Sequence, residues 1–572
     1  MPKDNVFAWQ VMDRRAFRTF SGTRFARQGL RPAAAALTPA AMTGPVSIAG
    51  AVRRALLRLA VHGDALRANP RAWAVAAWWR LLGKRVRSRS QMAPLLGASP
   101  RAYRLWLLQG EDDPVPEAGG LAILALVEDG AGLDRTLASL HREAIAHRVI
   151  GRGSEVPTDI GAGWVMPLVA GDALARGAGA FYRQSAANAD AATRVLYADD
   201  DLHGTDGQRE RPHFKPGWNA ELFNHHDYLT GAALLRVEGG DLADLPDEGW
   251  AETMTRRALD RTLAQGGKPA HVPRILHHRR VRPDPVRPAA LDHAALRDLP
   301  SVTVIVPTRN RVDLLRMCLA GLAGMQYPGA MEIIVIDNDS DDPETLDYLN
   351  ALDPDFARVM RHPGAFNFAA MNNRAIEEAS GDLICLLNND IEIRDPQWLA
   401  VLAVQALRPE VGAVGAQLLY PDGRIQHAGV VTGIGGGAAH AHKLLRPDDE
   451  GYFHRHALPQ FVSAVTAACL VAQRSKLLAV GGMDAAHFAV AFNDVDLCLR
   501  LNARGWQSFY EPRALLIHHE SVSRGLDRDP VGAARLAREL VALKARWGTG
   551  GGMDPFHHPS LSPFSERFVV RL

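Results

Sequence analysis

The eight residues Leu383–Asp390, LICLLNND, join an apolar run to a polar turn, and the fold class depends on them. A short apolar run between polar residues indicates a buried strand, because its length argues against a helix where periodicity alone does not. In open parallel sheets, ligands bind at the carboxyl ends of strands, where Asn388, Asn389 and Asp390 would lie. An acidic residue there can hold a divalent cation that grips phosphates. A solvated turn is the alternative, since Asn and Asp also favour turns for backbone reasons.

Strand and helix patterns alternate around this segment. Val302–Val306 (VTVIV) and Glu332–Ile336 (EIIVI) are strand-like runs, and a helix pattern between them starts at Val312 and ends at Gly324. A second helix pattern, Phe368–Ala379, precedes the apolar run that starts at residue 383. Strands that alternate with helices predict βαβ units and a parallel sheet, so the expected fold class is α/β.

The turn after the first of these strands, Pro307-Thr308-Arg309-Asn310, contains no glycine. A dinucleotide-binding dehydrogenase would need GxGxxG at this turn, and a P-loop enzyme would need a Walker sequence. Neither class fits the sequence. A nucleotide site in this sheet would have to hold its phosphates in another way, which favours a metal at Asp390.

Two further residues have the chemistry of a polar site. Phe492–Gly505 predicts a helix with Asn493 as N-cap and Asp494 in the first turn, where the helix dipole favours an ionised carboxylate. Such a carboxylate either serves as a general base or only caps the helix. His518 follows a strand-like run and is either a metal ligand or an ordinary core or surface histidine.

Six short motifs give the sequence a resemblance to a known family. They are PTRN at 307–310, IVIDND at 334–339, AFNFAAMNNRA at 365–375, LLNNDIE at 386–392, AFNDVDLCLR at 491–500 and HHESVSRG at 518–525. In this order they resemble the bacterial family 2 glycosyltransferases, most closely the rhamnosyltransferase-like enzymes of O-antigen and capsule assembly. The resemblance runs from about Pro300 to Trp547, nearly half of the chain.

The resemblance implies a GT-A fold, with a nucleotide-binding mixed sheet flanked by helices, and a set of site residues. Asp494 would be the catalytic base, and Asp390 and His518 would bind Mn²⁺ or Mg²⁺. The donor nucleotide would contact Pro307, Thr308, Asn310, Asp337, Asn373, Arg374, Asn388 and Asn389. The sequence departs from the family in its NND triplet, which leaves one carboxylate for the metal, and in Asn493, which replaces an acidic residue before the base.

The implied reaction is displacement at the anomeric carbon of a nucleoside-diphosphate sugar, with inversion of configuration. The resemblance favours dTDP-rhamnose as donor, with UDP-sugars second, and a saccharide or lipid-linked saccharide as acceptor, in cell-surface polysaccharide biosynthesis. Two other interpretations stay open. One is a non-catalytic scaffold of glycan assembly, and the other is a nucleotidyltransferase, although PTRN lacks the Gly-rich loop and basic residue of such enzymes.

A Gly-rich sequence, GIGGGAAHAH at 433–442, lies between the triplet and the base helix. Its glycines would let the backbone approach a ligand closely. His440 and His442 have HxH spacing; we expect them to line the acceptor or sugar pocket or to cap the loop, with metal binding as the alternative. Thr466, in a segment expected to face the donor sugar, and Asn493 complete the predicted pocket.

The first half of the chain resembles the first of two tandem glycosyltransferase domains. Its strand-like runs lie at residues 119–127, 164–168 and 194–197. Its candidate site is thin, with Glu128 and Asp129 near the base-binding position, Asp172 near the metal position and only Glu252 where a base helix should begin. The triplet DDD at 199–201 resembles a different loop of the tandem proteins, not their metal triplet. We predict a degenerate, inactive copy with a structural or acceptor-binding role, although a second active site stays open.

Pro-rich segments at 113–116 and 282–288 indicate linkers and give the domain boundaries. The expected regions are a basic helical arm at 1–117, a degenerate GT-A-like domain at 118–285, a linker at 286–299, a catalytic domain at 300–548 and a tail at 549–572.

The N-terminal arm is strongly basic. Residues 1–110 contain 19 lysines and arginines and three acidic residues, a net charge of +16 in a chain of net charge +2. Residues 51–68 and 72–89 predict helices, with Trp73, Trp78 and Trp79 beside basic residues. Basic amphipathic helices with tryptophan suit an anionic membrane surface, and packing of the tryptophans on the next domain is the equal alternative. Nucleic acid is disfavoured, because no binding motif accompanies the charge.

Composition and cysteine usage suit a cytoplasmic protein. Hydrophobic residues at 47% and charged residues at 22% are typical of globular domains, and four cysteines without CxxC spacing indicate neither zinc nor disulfides. No apolar run approaches the ~18 residues of a membrane span. Residues 13–17 (DRRAF) faintly resemble a twin-arginine export signal, but Arg24 and Arg27 interrupt the apolar core that should follow. We therefore expect a cytoplasmic location, at the inner face of the membrane if the arm binds lipid.

Overall fold

The computed structural model describes residues 48–110, 114–117, 119–157, 159–204, 207–292, 296–519, 530–551 and 554–572. Its first elements are four helices, α1 (Ile48–Ala68), α2 (Pro70–Leu81), α3 (Arg85–Gly97) and α4 (Ala102–Gly110). The single helix expected over 72–89 is wrong, because the chain turns at Gly83, whose φ of 72° lies in the left-handed region that glycine favours. The segment that resembles an export signal, like the rest of residues 1–47, lies outside the described residues.

The next elements form a mixed sheet with helices, here called the first copy (residues 123–279). In chain order they are β1 (Ile123–Glu128), α5 (Leu133–Arg142), β2 (Ala146–Ile150), β3 (Gly163–Val169), β4 (Ala173–Leu174), α6 (Ala178–Asn188), β5 (Val195–His203), β6 (Arg209–His213), α7 (Ala220–His225), β7 (Ala233–Val237), α8 (Trp250–Ala264) and β8 (Ala270–Arg279). The strands lie in the order β2-β1-β3-β7-β5-β8-β4, and β6 pairs with β5. Strands β1, β2 and β3 are parallel, whereas β7 runs antiparallel to β3 and β5.

A second, larger sheet follows, here called the second copy (residues 302–547). Its first elements are β9 (Val302–Thr308), α9 (Val312–Ala323), β10 (Met331–Asp337), α10 (Pro343–Asn350), β11 (Arg358–Arg361), α11 (Phe368–Glu378), β12 (Leu383–Leu387), β13 (Ile391–Glu392), α12 (Trp398–Ala406) and β14 (Val411–Leu419). Its remaining elements are β15 (Ile425–His427), β16 (Val430–Thr432), β17 (Ala438–His440), β18 (Gln460–Val462), β19 (Cys469–Gln473), α13 (Arg474–Ala479), α14 (Asn493–Ala503), β20 (Gln507–His518) and α15 (Pro530–Trp547). The strand order is β11-β10-β9-β12-β19-β14-β20-β13; β15 pairs with β14, β18 pairs with β20, and β16 with β17 forms a separate ribbon.

The two copies have the same sheet topology. Strands β1, β2, β3 and β4 correspond in order and direction to β9, β10, β12 and β13. Strands β5, β6, β7 and β8 correspond in the same way to β14, β15, β19 and β20. In the described part of the first copy, β11 has no counterpart. The expected α/β class, with a mixed sheet present twice after a helical arm, is confirmed.

The second copy has helices on both faces of its sheet. Val302, Val304 and Val306 of β9 pack in one core with α9, and Ile305 of the same strand packs in the other core with α11. All five residues of β12 are buried, as expected for a strand covered on both faces. The carboxyl ends of the parallel strands β10, β9 and β12 therefore meet at one edge of the sheet, where polar residues follow each strand.

The two copies touch through several buried polar contacts. Asn219, at the start of α7, donates through Nδ2 to the carbonyl of Phe461 (2.8 Å) and accepts the Phe461 N–H through Oδ1 (3.2 Å). The C-terminal segment also joins them, since Nε2 of the buried His558 lies 2.8 Å from Oδ2 of Asp199. The copies are therefore held together along more than one part of the chain.

Candidate active site

The polar turn between β12 and β13 is fixed from two sides. The backbone N–H of Asn388 donates to the carbonyl of Ala468 (3.0 Å), next to β19, which pairs with β12. Asn389 donates through Nδ2 to the hydroxyl of Thr308 (2.9 Å) at the end of β9. The turn is therefore part of the sheet edge and not a free surface loop, as the position of NND after a buried strand predicted.

Asp390 lies beside His518 in this edge. Ile391, directly after Asp390, pairs in register with His518 at the end of β20, and Oδ1 of Asp390 lies 3.1 Å from Nε2 of His518. Both side chains are buried, with exposed fractions of 4% and 9%. Although buried, Oδ1 of Asp390 has no hydrogen-bond partner among the residues that the structure describes. A buried carboxylate oxygen without such a partner is an anomaly that a bound cation would remove.

The orientation of His518 explains why these two atoms suit a metal. Nδ1 of His518 lies 2.7 Å from Oε1 of Gln426, an acceptor, so Nδ1 carries the imidazole proton. Nε2 then presents a lone pair, and the Asn388 amide nitrogen lies 3.3 Å from it. A lone pair of Asp390 and one of His518 therefore face each other at contact distance. These residues fit a divalent cation whose remaining ligands would be oxygen atoms of water or of a bound phosphate.

The charge of Asp390 is compatible with that role. Burial raises the pKa of its carboxyl, whereas the imidazole of His518, when both of its nitrogens are protonated, lowers it, and the lowering is larger. Asp390 is therefore ionised at neutral pH. Glu520, two residues beyond His518, lies outside the described residues.

Asp494 is held at the N-terminus of α14 by backbone donors. Its Oδ1 accepts the N–H of Val495 (2.8 Å) and its Oδ2 accepts the N–H of Ala467 (3.1 Å). Burial raises the pKa of Asp494, although these two N–H groups and the hydroxyl of Thr466 favour the ionised form. A fixed carboxylate with a raised pKa is a better proton acceptor than a solvated one.

Asn493 does not cap this helix as the sequence suggested. The N-cap residue is Phe492, in the left-handed region with φ of 60°, and Asn493 is the first helical residue. The amide of Asn493 donates to the carbonyl of Val490 (2.9 Å) and is buried. The tight turn at Phe492 directs Asp494, and not Asn493, towards the backbone N–H of Ala467.

One short segment links Asp494 with the metal-side turn. Ala467 donates its N–H to Asp494, and the next residue, Ala468, accepts the N–H of Asn388. Neighbouring Cα atoms are only about 3.8 Å apart, so the two polar groups flank the same stretch of backbone. Thr466, predicted to line the sugar pocket, hydrogen-bonds Asp494 directly. The structure therefore pairs Asp390 with His518 and Thr466 with Asp494, and Ala467 and Ala468 connect the second pair to the turn that contains Asp390.

The predicted base-binding residue Asp337 lies at the same sheet edge. It stands opposite Thr308 in the parallel register of β10 and β9. Its Oδ1 accepts the N–H of Ser340 (3.1 Å), and its Oδ2 pairs with the guanidinium of Arg361 at the end of β11. Asn310, whose φ is 53°, uses its Oδ1 to accept the N–H groups of Asp341 and Asp342 (both 3.0 Å). Pro307, Thr308, Asn310 and Asp337 thus surround one polar edge, as a nucleotide site requires.

Asn373 and Arg374 have other partners in this structure. The amide of Asn373 binds both the N–H and the carbonyl of Met483 (2.7 Å each). Arg374 bonds Glu378 one turn along α11 (2.9 Å) and the carbonyl of Arg361 (2.8 Å). Their predicted contact with the ribose and diphosphate stays a prediction.

His440 and His442 do not share a site. Nδ1 of His440 lies 2.7 Å from Nδ1 of His427, and burial lowers the pKa of His440 to about 3. His442 stacks on Phe568 of the C-terminal segment, with ring centroids 4.5 Å apart. Because the two rings contact different partners, the HxH sequence does not form a shared metal site here. His440 is the nearer to the candidate site, since His518 influences its pKa.

The corresponding edge of the first copy is filled by its own charged side chains. Asp172 directly precedes β4 as Asp390 directly precedes β13, but it accepts the N–H of Arg280 (2.8 Å) and lies 3.6 Å from Nε of Arg279. Nearby, Asp200 pairs with the buried Lys215 (2.8 Å) and with Arg282. Burial raises the pKa of Asp172 to about 6.

The remaining candidates of the first copy do not form a site either. Glu128 ends β1 on a partly exposed position, and Glu252 is exposed in the first turn of α8. In the second copy, Asp494 in the first turn of α14 accepts two backbone N–H groups. In the first copy, the only acidic residue in the first turn of the described α8 is the exposed Glu252.

One group of three potential metal ligands is present among the described residues, Asp199, His271 and His558. Asp199 lies within β5, the counterpart of β14, and not in the turn that corresponds to NND. Oδ1 of Asp199 lies 2.8 Å from His271, and Oδ2 lies 2.8 Å from Nε2 of His558. Because Nδ1 of His558 accepts the N–H of Ser560 (2.9 Å), its proton sits on Nε2 and faces Asp199. The contact between Asp199 and His558 holds the C-terminal segment against the first copy, although Oδ2 of Asp199 and Nε2 of His558 form no regular hydrogen bond with the described residues.

Two residues of the site were not assigned a role from the sequence. Gln426 orients His518, and Arg361 neutralises Asp337. Arg361 is the last residue of β11, which pairs with β10, so a basic residue at the end of a strand could have indicated a partner for Asp337. Gln426 comes from a strand that precedes His518 by 92 positions, and no local pattern links the two.

The comparison with protein families agrees with the motifs. Residues 303–464 match the family described as Glycosyl transferase family 2. The matched segment begins in β9, contains the NND turn and ends just before Thr466. The resemblance read from the six motifs is therefore confirmed.

Several curated proteins are similar over longer stretches. "Uncharacterized protein y4gI" of Sinorhizobium fredii is 33% identical over 516 residues, which are 82% of this chain and 56% of that protein. "O-antigen biosynthesis protein RfbC" of Myxococcus xanthus is 34% identical over 412 residues, 64% of this chain and 31% of that protein. "N-acetylglucosaminyl-diphospho-decaprenol L-rhamnosyltransferase" of Mycobacterium tuberculosis is 31% identical over 159 residues, 26% of this chain and 50% of that protein. The chain spans between 31% and 56% of the length of these relatives.

Among solved structures, a mannosyltransferase of Pyrobaculum calidifontis in complex with GDP-Man and Mn²⁺ covers 46% of this chain and 68% of its own. Its sequence identity is 21% and its TM-score is 0.34. At that TM-score nothing further about this chain follows from the likeness.

Proposed function

Because residues 303–464 belong to a family 2 glycosyltransferase domain, we propose that this chain transfers a sugar from a nucleoside-diphosphate sugar to a saccharide or lipid-linked saccharide. One observation carries the proposal: the turn that contains Asp390 and the carboxylate of Asp494 hydrogen-bond to adjacent residues of one segment, Ala468 and Ala467. A cation site and a candidate base on one stretch of backbone are what an inverting transfer needs, with the sugar between them.

In the proposed reaction, Asp390 and His518 would hold Mn²⁺ or Mg²⁺, which would supply positive charge beside the leaving diphosphate. Asp494 accepts the proton of an acceptor hydroxyl. The oxygen of that hydroxyl forms the new bond to the anomeric carbon from the face opposite the diphosphate, and the bond to the diphosphate breaks. The configuration inverts because one displacement occurs.

The donor proposed is dTDP-rhamnose, with UDP-sugars second. Relatives named for O-antigen biosynthesis and for L-rhamnosyl transfer support this choice. Asp337, with Thr308 and Asn310 beside it, is proposed to bind the pyrimidine base that both nucleotides share. Asn388, Asn389, Asn373 and Arg374 are proposed to contact the rest of the donor nucleotide, and His440, His442 and Asn493 the sugar or acceptor.

Metal-dependent nucleotide release tests the proposal. The full chain is incubated with a panel of dTDP-, UDP- and GDP-sugars and with saccharide acceptors, in Mn²⁺, in Mg²⁺ and in EDTA. We expect release and transfer with one pyrimidine donor, abolished by EDTA. If no donor is consumed in any metal while the chain is folded, the second proposal, a non-catalytic scaffold, replaces the first. Release of pyrophosphate from a nucleoside triphosphate and a sugar phosphate would instead indicate a nucleotidyltransferase.

We further propose that the first copy is inactive and that the protein works at the cytoplasmic face of the membrane. The ion pairs of Asp200 with Lys215 and Arg282 support the inactivity of the first copy, because these side chains fill the sheet edge where a donor would bind. The proposed location rests on the basic arm and on an acceptor that is lipid-linked.

A further inference from the structure

Helix α1 presents an apolar stripe to solvent. Five of its large apolar side chains are exposed by between 41% and 84%, namely Ile48, Val52, Leu56, Leu59 and Leu66. Apart from Leu56, which lies at the margin, these positions fall within about 40° of one another at 100° per residue. From Ile48 to Leu66 the stripe is about 27 Å long, at 1.5 Å per residue. An apolar line of this length on the outside of a helix is unusual, because single exposed apolar residues are normal but contiguous ones mark interaction sites.

The opposite face of α1 already has its partners. Val61 and Ala65, on that face, are each 1% exposed. His62, which lies beside the stripe at about 40° from Ile48, accepts a hydrogen bond from Nε1 of Trp73 in α2 (3.2 Å). Asp64 bonds Ser99 and Arg101 at the start of α4. The inner face of helix α1 therefore packs on α2 and α4, and this packing leaves the apolar stripe exposed.

Arginines flank the stripe on both sides. On the helical wheel Arg53 and Arg67 lie on one side of it and Arg58 lies on the other, and all three are exposed. A second exposed apolar group, Trp78, Leu81, Leu82 and Val86, lies at the turn between α2 and α3 beside Lys84, Arg85 and Arg87. Apolar side chains between long basic ones suit the boundary of a bilayer, where the chains insert and the guanidinium groups reach the headgroups.

The charge of this region selects among possible occupants. Residues 48–110 contain 12 lysines and arginines and one acidic residue, Asp64, which is already paired. A second copy of the same face would bring a net charge of +11 against +11, and this repulsion disfavours a dimer through α1. An anionic lipid surface instead attracts each basic side chain and buries the stripe. No helix in the described ranges combines the length and apolar composition of a membrane span, so the contact would lie on the surface.

We propose that the outer face of α1 is a binding surface for an anionic membrane, with the apolar stripe inserted and the flanking arginines on the headgroups. This surface rests on the proposed function in one point, the location of the protein at the cytoplasmic face of the membrane. It would place the second copy at the surface where a lipid-linked acceptor is found.

Vesicle flotation of the full chain tests the proposal. Phosphatidylcholine vesicles with phosphatidylglycerol should bind the protein and those without it should not, and salt should weaken the binding. The double variant Val52→Asp, Leu59→Asp should weaken binding about tenfold or more, because two inserted side chains are lost. A matched control, Val281→Asp with Val286→Asp, changes equally exposed valines (71% and 68%) outside the arm and should bind normally.

Three results would overturn the proposal. They are equal binding to vesicles with and without phosphatidylglycerol, undiminished binding of the Val52, Leu59 variant, and a lipid-free dimer that this variant dissociates in sedimentation velocity. Nucleotide release in the absence of vesicles is measured alongside. If the variant loses flotation and keeps nucleotide release, the surface and the chemistry are separated, whereas a failure of nucleotide release in the unmodified chain counts only against the proposed reaction.

Discussion

At the scale of single residues, the proposed chemistry depends on Asp494. Asp494→Asn keeps one oxygen for a backbone N–H but cannot accept a proton, so kcat should fall by about 10²–10⁴-fold. Donor affinity, measured by calorimetry, should stay within about twofold, because the proposed partner of Asp494 is the acceptor hydroxyl and not the donor. The control is Glu252→Gln, the exposed carboxylate at the start of α8, which should change neither quantity. Full activity of Asp494→Asn would remove this residue from the mechanism.

The pH dependence of sugar transfer should reflect the ionisation of Asp494. Burial raises the pKa of Asp494 above the ordinary 3.8, and only the ionised form accepts a proton. The rate should therefore fall as pH decreases through a midpoint above 3.8, measured as kcat/KM against pH in saturating metal. In Asp494→Asn, the residual kcat/KM should not show this fall at low pH. If kcat/KM of the variant still falls at low pH with the same midpoint, another group is responsible for the fall.

Asp172 gives a stability prediction at the same scale. Its pKa is raised to about 6 in the folded chain by burial, from 3.8, so the folded state binds the proton more tightly than the unfolded state does. The free energy of unfolding must therefore decrease as pH rises through this range. Asp172→Asn should be more stable than the parent at neutral pH, by up to about 3 kcal/mol, and equally stable below pH 4. Thermal unfolding at both pH values checks this, and a lower midpoint at neutral pH would contradict it.

At the scale of elements, α15 holds the loop before the base helix. The buried Glu539 accepts the N–H groups of Val490 (3.1 Å) and Ala491 (2.8 Å), and Arg546 pairs with Asp496 (2.8 Å). Glu539 touches no reacting atom, so it is a positioning residue. It fixes the turn from which Asp494 projects.

Glu539→Ala should lower kcat while leaving donor affinity unchanged, because the base moves and the nucleotide edge does not. It should also cost about 1–3 kcal/mol for each backbone N–H left unsatisfied. Glu539→Gln, which keeps one acceptor oxygen, should restore part of the rate. The neighbouring exposed Arg538→Ala is the control and should behave as the parent. If donor affinity falls as much as kcat in Glu539→Ala, a general structural loss explains the effect instead.

Secondary structure was more predictable than side-chain partners. The strands β9, β10 and β12 follow from short apolar runs, and the position of Asp390 follows from the turn after one of them. The partner of Asn373 does not follow, because Met483 lies 110 positions further along the chain. The partner of His440 does not follow either, because His427 is on a different strand, 13 positions earlier, and no local pattern pairs the two rings. The left-handed turn at Phe492 was also missed, since only Gly and Asn signal such turns locally.

At the scale of the whole molecule, the first copy contacts the second close to the segment that binds Asp494. Asn219 pairs with both backbone groups of Phe461 in β18, and four residues later the chain reaches Val465 and the segment that holds Asp494. Both Asn219 and Phe461 are buried, so this contact is shielded from water. The filled edge of the first copy, with Lys215 on Asp200, suits a structural role.

Asn219→Ala should therefore weaken the coupling between the copies. Two buried backbone groups lose their partner, and calorimetric unfolding should change from one transition to two, with a lower first midpoint. The exposed Asn224→Ala, on the same helix, is the control and should unfold as the parent does. A single, unshifted transition in Asn219→Ala would show that this contact does not couple the copies.

The contact between Asp199 and His558 has a consequence for biosynthesis. The two residues are separated by more than half of the chain, and both are buried in the finished protein. At ~5–20 residues per second, a ribosome needs on the order of tens of seconds to pass from one to the other. During that interval the nascent first copy must keep an ionised aspartate without one of its two imidazole neighbours, so the strand that carries Asp199 stays open to a chaperone until the C-terminal segment is made.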